Sequence, residues 1–234
     1  MDVEELFRQL SYGELSNLAI GGEGSGSIPL AQRPKLVSYV NDGLLQLYSR
    51  FVLKESDVIV ATQEHITNYH FLKRFAASNV DPLPGDTLYI VDHADDPFQE
   101  DLIKILKVFD SEGTEYPLND VDNPESLFTP QPNTLQIPYP IADEIVNVIY
   151  QAGHEQLPYD DLTACICLPL VLNPALKTYV AYKVYCHMNG QENAAKAAEH
   201  LTMFEAMCNQ TTERDLVNSS MSNSATKFRD RGFR

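Results

Sequence analysis

The chain contains no run of about 18 apolar residues, so no segment reads as a transmembrane helix. Met1 to Leu10 lacks the basic region and apolar stretch of a secretion signal, and reads instead as an acidic amphipathic helix. Cysteine is scarce, with four in 234 residues, at positions 165, 167, 186 and 208. That is too few for a disulfide framework in a chain of this length. All four are expected to be reduced, mostly buried thiols, made in a reducing cytoplasm. If the run holding Cys165 and Cys167 is a strand, both side chains point to one face. Metal ligation by the thiols with His187 or His200 is not expected. Basic residues are also few: 17 Lys and Arg stand against 33 Asp and Glu, a net charge of −16. So acidic a body does not bind nucleic acid by neutralising phosphates. The charge reads first as a source of solubility; such a body would also repel DNA or let DNA pass without sticking.

Catalytic signatures are missing too. There is no Gly-x-Ser-x-Gly elbow, no His-Glu-x-x-His pair and no Cys-x-x-Cys. The glycine-rich stretch from Gly21 to Ser27 contains no Lys and follows no strand, so it is a poor phosphate cradle and reads as a flexible linker. Carboxylates gather at Asp92, Asp95, Asp96, Glu100 and Asp101, at Asp110, Glu112 and Glu115, and at Asp120 and Asp122. Paired carboxylates can do acid–base work or hold Mg²⁺. These lie among Pro, Gly and Asn, lack the spacing of a calcium loop, and read as solvated turns. His65 and His70 are five apart, which on a strand puts them on opposite faces. No catalytic, cofactor-binding or metal-binding residue is assigned, and no cofactor is expected. The alternative is an intracellular metal-dependent enzyme that uses the loop carboxylates.

What the sequence does carry is helical periodicity at both ends. Pro169 to Gln210 reads as a helical hairpin: Asn173 is placed as the N-cap, Pro174 at the first helical position and Gly190 at the stop. The second helix begins near Glu192 and carries the stripe Ala194, Ala197, Ala198, Leu201, Phe204 and Cys208. Leu176, Val180, Leu201 and Phe204 are the positions expected to be most sensitive. Near the other end, Ile28 to Phe51 reads as a long helix with the apolar stripe Leu36, Val37, Val40, Leu44, Leu47, Tyr48 and Phe51. Gly43 weakens its middle by roughly 1 kcal/mol relative to Ala, and a close helix crossing would explain the choice.

Between these helices the pattern turns to β. Strands are expected at 57–62, 88–91, 102–109, 134–139 and 144–152, with 66–72 pairing onto the first. The expected fold is α+β, mainly α. A bundle of about four helices (1–52 and 168–210) is interrupted by a β-rich insertion with acidic loops (53–167), and a flexible basic C-terminal tail follows (211–234). From Ser219 onward four basic residues face one acidic residue, a net charge of +3, so the rest of the chain carries −19. Such a tail suits an acidic partner.

The order of these segments resembles a known family. The stretch Gln32 to Phe51 (QRPKLVSYVNDGLLQLYSRF) resembles the first long helix of tailed-phage head-to-tail adaptor proteins, the connector or tail tubular A-like family. Glu144 to Pro158 (EIVNVIYQAGHEQLP) is similar to the strand such proteins carry before their last helices. Leu168 to Tyr185 (LPLVLNPALKTYVAYKVY), followed by an Ala-rich helix to Phe204, is the most similar part. The resemblance implies a virion structural protein, made in the host cytoplasm and placed at the head–tail interface. Members form a ring, usually of twelve copies, beneath the portal protein. The ring extends the DNA channel, through which DNA passes without specific binding during ejection, and docks a tail or nozzle protein. No membrane is involved. Members often dock to the portal through a C-terminal extension, which here assigns portal docking to Lys227, Phe228, Arg229, Arg231, Phe233 and Arg234.

Overall fold

A proline two residues into each of two helices sets how the helical part begins. The computed structural model describes residues 1–214, 216 and 217. Over these it is a mixed α+β protein with four α-helices and two small antiparallel sheets. Helix α2 spans Arg33–Arg50 and α3 spans Asn173–Cys186, with Pro34 and Pro174 in their first turns, where the missing N–H costs nothing. A 3₁₀ turn precedes each, Leu30–Gln32 and Leu170–Leu172. The backbone repeats closely: φ/ψ is −56°/137° at Pro29 and −56°/139° at Pro169, then −57°/−49° at Arg33 and −57°/−43° at Asn173. The sequence repeats with it. Pro29, Leu30, Pro34, Leu36, Tyr39 and Val40 recur as Pro169, Leu170, Pro174, Leu176, Tyr179 and Val180. The chain thus uses one helix-entry motif twice, with Leu36 and Leu176 fully buried and Leu30 and Leu170 exposed each time.

The chain divides into two compact units, one formed by Met1–Val52 with the described part of Gln156–Arg234, the other by Leu53–Glu155. The boundary at 155 lies earlier than the 167 expected for the β-rich segment. Residues 156–167 are bound into the helical unit by its own polar groups. Asn41 brackets Leu157 through both main-chain groups at 2.9 and 3.1 Å, and Ile166 N–H donates to the Met1 carbonyl at 2.8 Å.

In the helical unit, α1 (Val3–Tyr12) is capped by Asp2, whose carboxylate accepts the Glu5 N–H at 2.7 Å. Val3, Leu6 and Leu10 are fully buried. The glycine stretch after it is a packed turn, not the expected linker. Ser11 Oγ donates to the Gly21 carbonyl at 2.6 Å and accepts the Gly26 N–H at 3.0 Å. A Cβ on Gly21 would lie 2.1 Å from the Leu15 carbonyl oxygen, so the glycine there permits close backbone approach. The α2 stripe is buried over its whole length, each large side chain contributing about 1.5–3 kcal/mol. Where α2 crosses α3, a Cβ on Gly43 would come 2.7 Å from Leu176 Cδ1 and 3.0 Å from Tyr179 Cδ1. Close packing is therefore the reason for that glycine.

The hairpin differs from expectation in three details. Asn173 lies inside α3 and its Oδ1 is buried without a hydrogen-bond partner, because the 3₁₀ turn, and no side-chain cap, leads into the helix. Gly190, at φ +113°, precedes α4 and does not end α3; His187 closes α3 by donating its N–H to Val184 and Tyr185 carbonyls. Helix α4 (Gln191–Glu213) extends past residue 210 and buries Thr211, so the helix enters the segment expected as tail. On α4 only Ala197, Phe204, Cys208 and Thr211 are buried, while Ala194, Ala198 and Leu201 are exposed. Cys208 is the one buried cysteine, and burial pushes its thiol up to about 11. Cys165, Cys167 and Cys186 are exposed, against the expectation of mostly buried thiols: the first two sit on the outer side of an extended segment and the third on the last turn of α3.

In the β unit, β1 (Glu55–Ala61), β3 (Ile90–Val91), β4 (Leu102–Phe109) and β7 (Ile145–Ala152) form one sheet in the order β3-β1-β7-β4. A second sheet has β2 (Asn68–His70), β6 (Thr134–Gln136) and β5 (Phe128–Gln131), in the order β2-β6-β5. The 66–72 segment therefore pairs with β6, not with β1 as expected. On β7, Val146, Val148 and Tyr150 face the core, joined there by Val58, Val60, Ile105 and Val108. The opposite face carries the cross-strand row Val91, Ile59, Asn147 and Phe109, of which Val91 and Ile59 are exposed. No helix among the described residues is long and apolar enough to cross a membrane.

Candidate functional site

The portal-docking residues Lys227, Phe228, Arg229, Arg231, Phe233 and Arg234 lie outside the described residues. Within the β unit, however, part of the first carboxylate cluster is brought to one place. The order β3-β1-β7 sets Ser56 of β1 opposite Tyr150 of β7, with Asp57 next to it on the strand that also pairs with β3. The loop 92–101 closes over them, leaving a cleft of about 430 Å³. Its acidic lining is Asp57, Asp92, Asp96 and Asp101, with Lys54 and His93 at the margin.

Two of these carboxylates hold the loop. Asp92 accepts from Ser78 N–H at 2.7 Å, Ser78 Oγ at 2.5 Å and Phe98 N–H at 2.8 Å. Burial pushes its carboxyl up, but the hydrogen bonds from Ser78 and Phe98 outweigh this and hold it below the usual carboxylate value. Asp101 accepts from Lys54 Nζ at 2.8 Å and from the Tyr150 hydroxyl at 2.9 Å. Burial, and then the Asp101 charge, raises Tyr150 above the ordinary tyrosine value, so its hydroxyl stays protonated and donating. Phe98 meets Tyr150 edge-on, with ring centroids 6.3 Å apart, and both rings line the cleft. Asp57 and Asp96 are exposed. The cleft therefore gathers four carboxylates, one of them paired with Lys54, beside the rings of Phe98 and Tyr150.

Of the other carboxylates, Asp110 and Asp120 serve turns, while Glu100 accepts the Lys73 N–H and Glu115 pairs with Lys107. Asp110 accepts from Glu112 and Thr114 N–H groups at 2.8 Å each, which shapes the turn after β4. Asp120 accepts from Asp122 N–H at 3.1 Å. Among the described residues no three or more His, Cys, Asp or Glu side chains are grouped to hold a metal ion. His70 meets Thr134 Oγ1 at 2.9 Å, His187 stacks on Tyr39 and His200 on Tyr185. The cleft was not legible in the sequence as a unit, since its four carboxylates come from β1, the end of β3 and the following loop. The one available signal was the density of Asp between positions 92 and 101.

Asp92→Ala leaves the Ser78 and Phe98 N–H groups without their acceptor. It is expected to cost about 2–3 kcal/mol of β-unit stability at neutral pH. Because the folded carboxyl is held below its unfolded value of about 3.9, its contribution is present above that pH and is lost as the pH falls through the folded value. Melts in steps below about pH 5 should show the acid-induced loss to be shallower in Asp92→Ala than in the parent chain. Equal slopes would remove Asp92 from the account. Compared with protein-family models and with curated proteins, the chain matches none.

Proposed function

We propose that the chain is a head-to-tail adaptor of a tailed phage, a non-catalytic virion protein. It assembles as a ring of about twelve copies beneath the portal, extends the DNA channel and docks the tail. In this reading the fold is mainly α in its organising part, with α1 to α4 forming the bundle and the β unit inserted in it. The observation that carries the proposal is the order of elements: a proline-led long helix, a separate β-rich unit, then a proline-led helical hairpin.

Two further features support it. Apolar side chains are left in water on both units: Leu30 is 75% and Leu170 82% exposed, and Ile59, Val91 and Ile145 are exposed on one sheet face. Side chains of this kind are what contacts between neighbouring copies cover. The net charge of −16 suits a protein that DNA passes without being gripped.

Binding to a purified portal ring tests the reading. The full chain should bind. Removal of residues 219–234, which carry the net charge of +3, should weaken binding, and added salt should weaken the parent complex more than the truncated one. A full chain that ignores the portal contradicts the proposal. Binding that survives the truncation unchanged contradicts the assignment of docking to the basic segment.

A further inference from the structure

Cys165 and Cys167 lie on the same side of an extended segment, with their sulfurs 4.0 Å apart and both side chains exposed. Ile166 between them is 2% exposed and points the other way, the alternation of a strand. The segment is fixed along its length. Asp2 forms an antiparallel bridge with Cys165, Val3 N–H donates to the Ala164 carbonyl at 3.2 Å, and Ile166 N–H donates to Met1. The Tyr48 hydroxyl of α2 donates to the Cys167 carbonyl. Burial, and then the charge of the two thiols, pushes Tyr48 up to about 12, so that hydroxyl stays a donor at neutral pH. The main chain that carries both sulfurs is thus held in place by α1 and α2.

We infer that Cys165 and Cys167 form a preorganised bis-thiolate site for a single soft monovalent metal ion of the copper(I) class. Soft thiolate ligands select such ions. Two sulfurs 4.0 Å apart, each about 2.3 Å from a shared ion, subtend an angle of about 120° at it. That is the angle of a trigonal centre, whose third place a small thiol or water fills. Zinc fits less well, since it takes four protein ligands in closed sites and no third His, Cys, Asp or Glu joins the pair among the described residues. A disulfide also fits less well. Residues two apart on an extended chain have Cα atoms about 6.4–6.8 Å apart, at the upper limit of disulfide geometry. On binding, both thiols lose their protons and the two thiolates and one cation form a complex of net charge −1.

The test is an anaerobic titration of the full reduced chain with copper(I) against a chromogenic copper(I) chelator. The expected result is one ion per chain. Cys165→Ser and Cys167→Ser should each weaken binding by at least about 100-fold, and Cys186→Ser and Cys208→Ser should leave it unchanged. Circular dichroism of each variant confirms that the helices are retained. A Cys208→Ser that fails to fold is replaced by Cys208→Ala. Binding that survives Cys165→Ser or Cys167→Ser overturns the assignment. So does affinity no greater than that of a free small thiol, or a loss of two hydrogens by mass that marks a disulfide in place of the ion.

Discussion

Phe204→Ala is expected to lower the stability of the helical unit by about 3–4 kcal/mol, and Leu201→Ala by less than about 1 kcal/mol. The two residues sit one turn apart on α4 and read from sequence as equal members of one stripe. The structure separates them. Phe204 is 3% exposed and its ring packs on Tyr179 at 5.2 Å, joining α4 to α3. Truncating it removes aromatic burial and leaves a cavity beside Tyr179 that the packed backbone closes only in part. Leu201 is 37% exposed, so Ala there loses little burial and gains helix propensity. Urea unfolding followed by far-ultraviolet circular dichroism checks both values. Equal losses at the two positions would mean that α4 is rotated from the phase described.

Gly43→Val should damage the α2–α3 packing severely, costing about 3 kcal/mol. A Cβ at this position already lies 2.7 Å from Leu176 Cδ1 and 3.0 Å from Tyr179 Cδ1, and Val adds two methyl groups beyond it. Leu176 is fully buried and Tyr179 is 8% exposed, so neither can swing into solvent. Relief requires α2 and α3 to move apart, which also lengthens the Lys183–Asp42 ion pair, now 2.8 Å. Gly43→Ala is milder, because a gain of up to about 1 kcal/mol in helix propensity offsets part of the clash. Thermal melts of the two variants should therefore rank Val well below Ala. A Val variant as stable as the parent would show that the two helices do not approach closely at Gly43.

Much of the fold was legible because its signals are long and regular. The α2 stripe recurs from Leu36 to Phe51, and β7 alternates from Ile145 to Tyr150, so both elements were legible from periodicity, although α2 begins at Arg33 and not at the expected Ile28 because a 3₁₀ turn precedes it. The α4 stripe was harder, since an Ala-rich run offers two faces of similar apolarity. Only the tertiary partner Tyr179 decides between Leu201 and Phe204. The pairing of 68–70 was invisible for a different reason: three residues are too few to carry a register, and the hydrogen bonds to β6 decide it. The glycine stretch misled because its order comes from Ser11, a residue in the preceding helix whose hydroxyl spans both sides of the turn. For the cleft, composition marked the acidic loop, but Asp57 and Tyr150 join it only through the sheet order.

The adaptor proposal turns on whether the chain assembles with a portal. The direct measurement is light scattering of the full chain, alone and mixed with a purified portal ring, at matched concentration. The account predicts a new species in the mixture whose mass exceeds that of the portal by a fixed multiple of the chain, about one copy per portal subunit. A chain that stays monomeric in the mixture, with the portal mass unchanged, would contradict it.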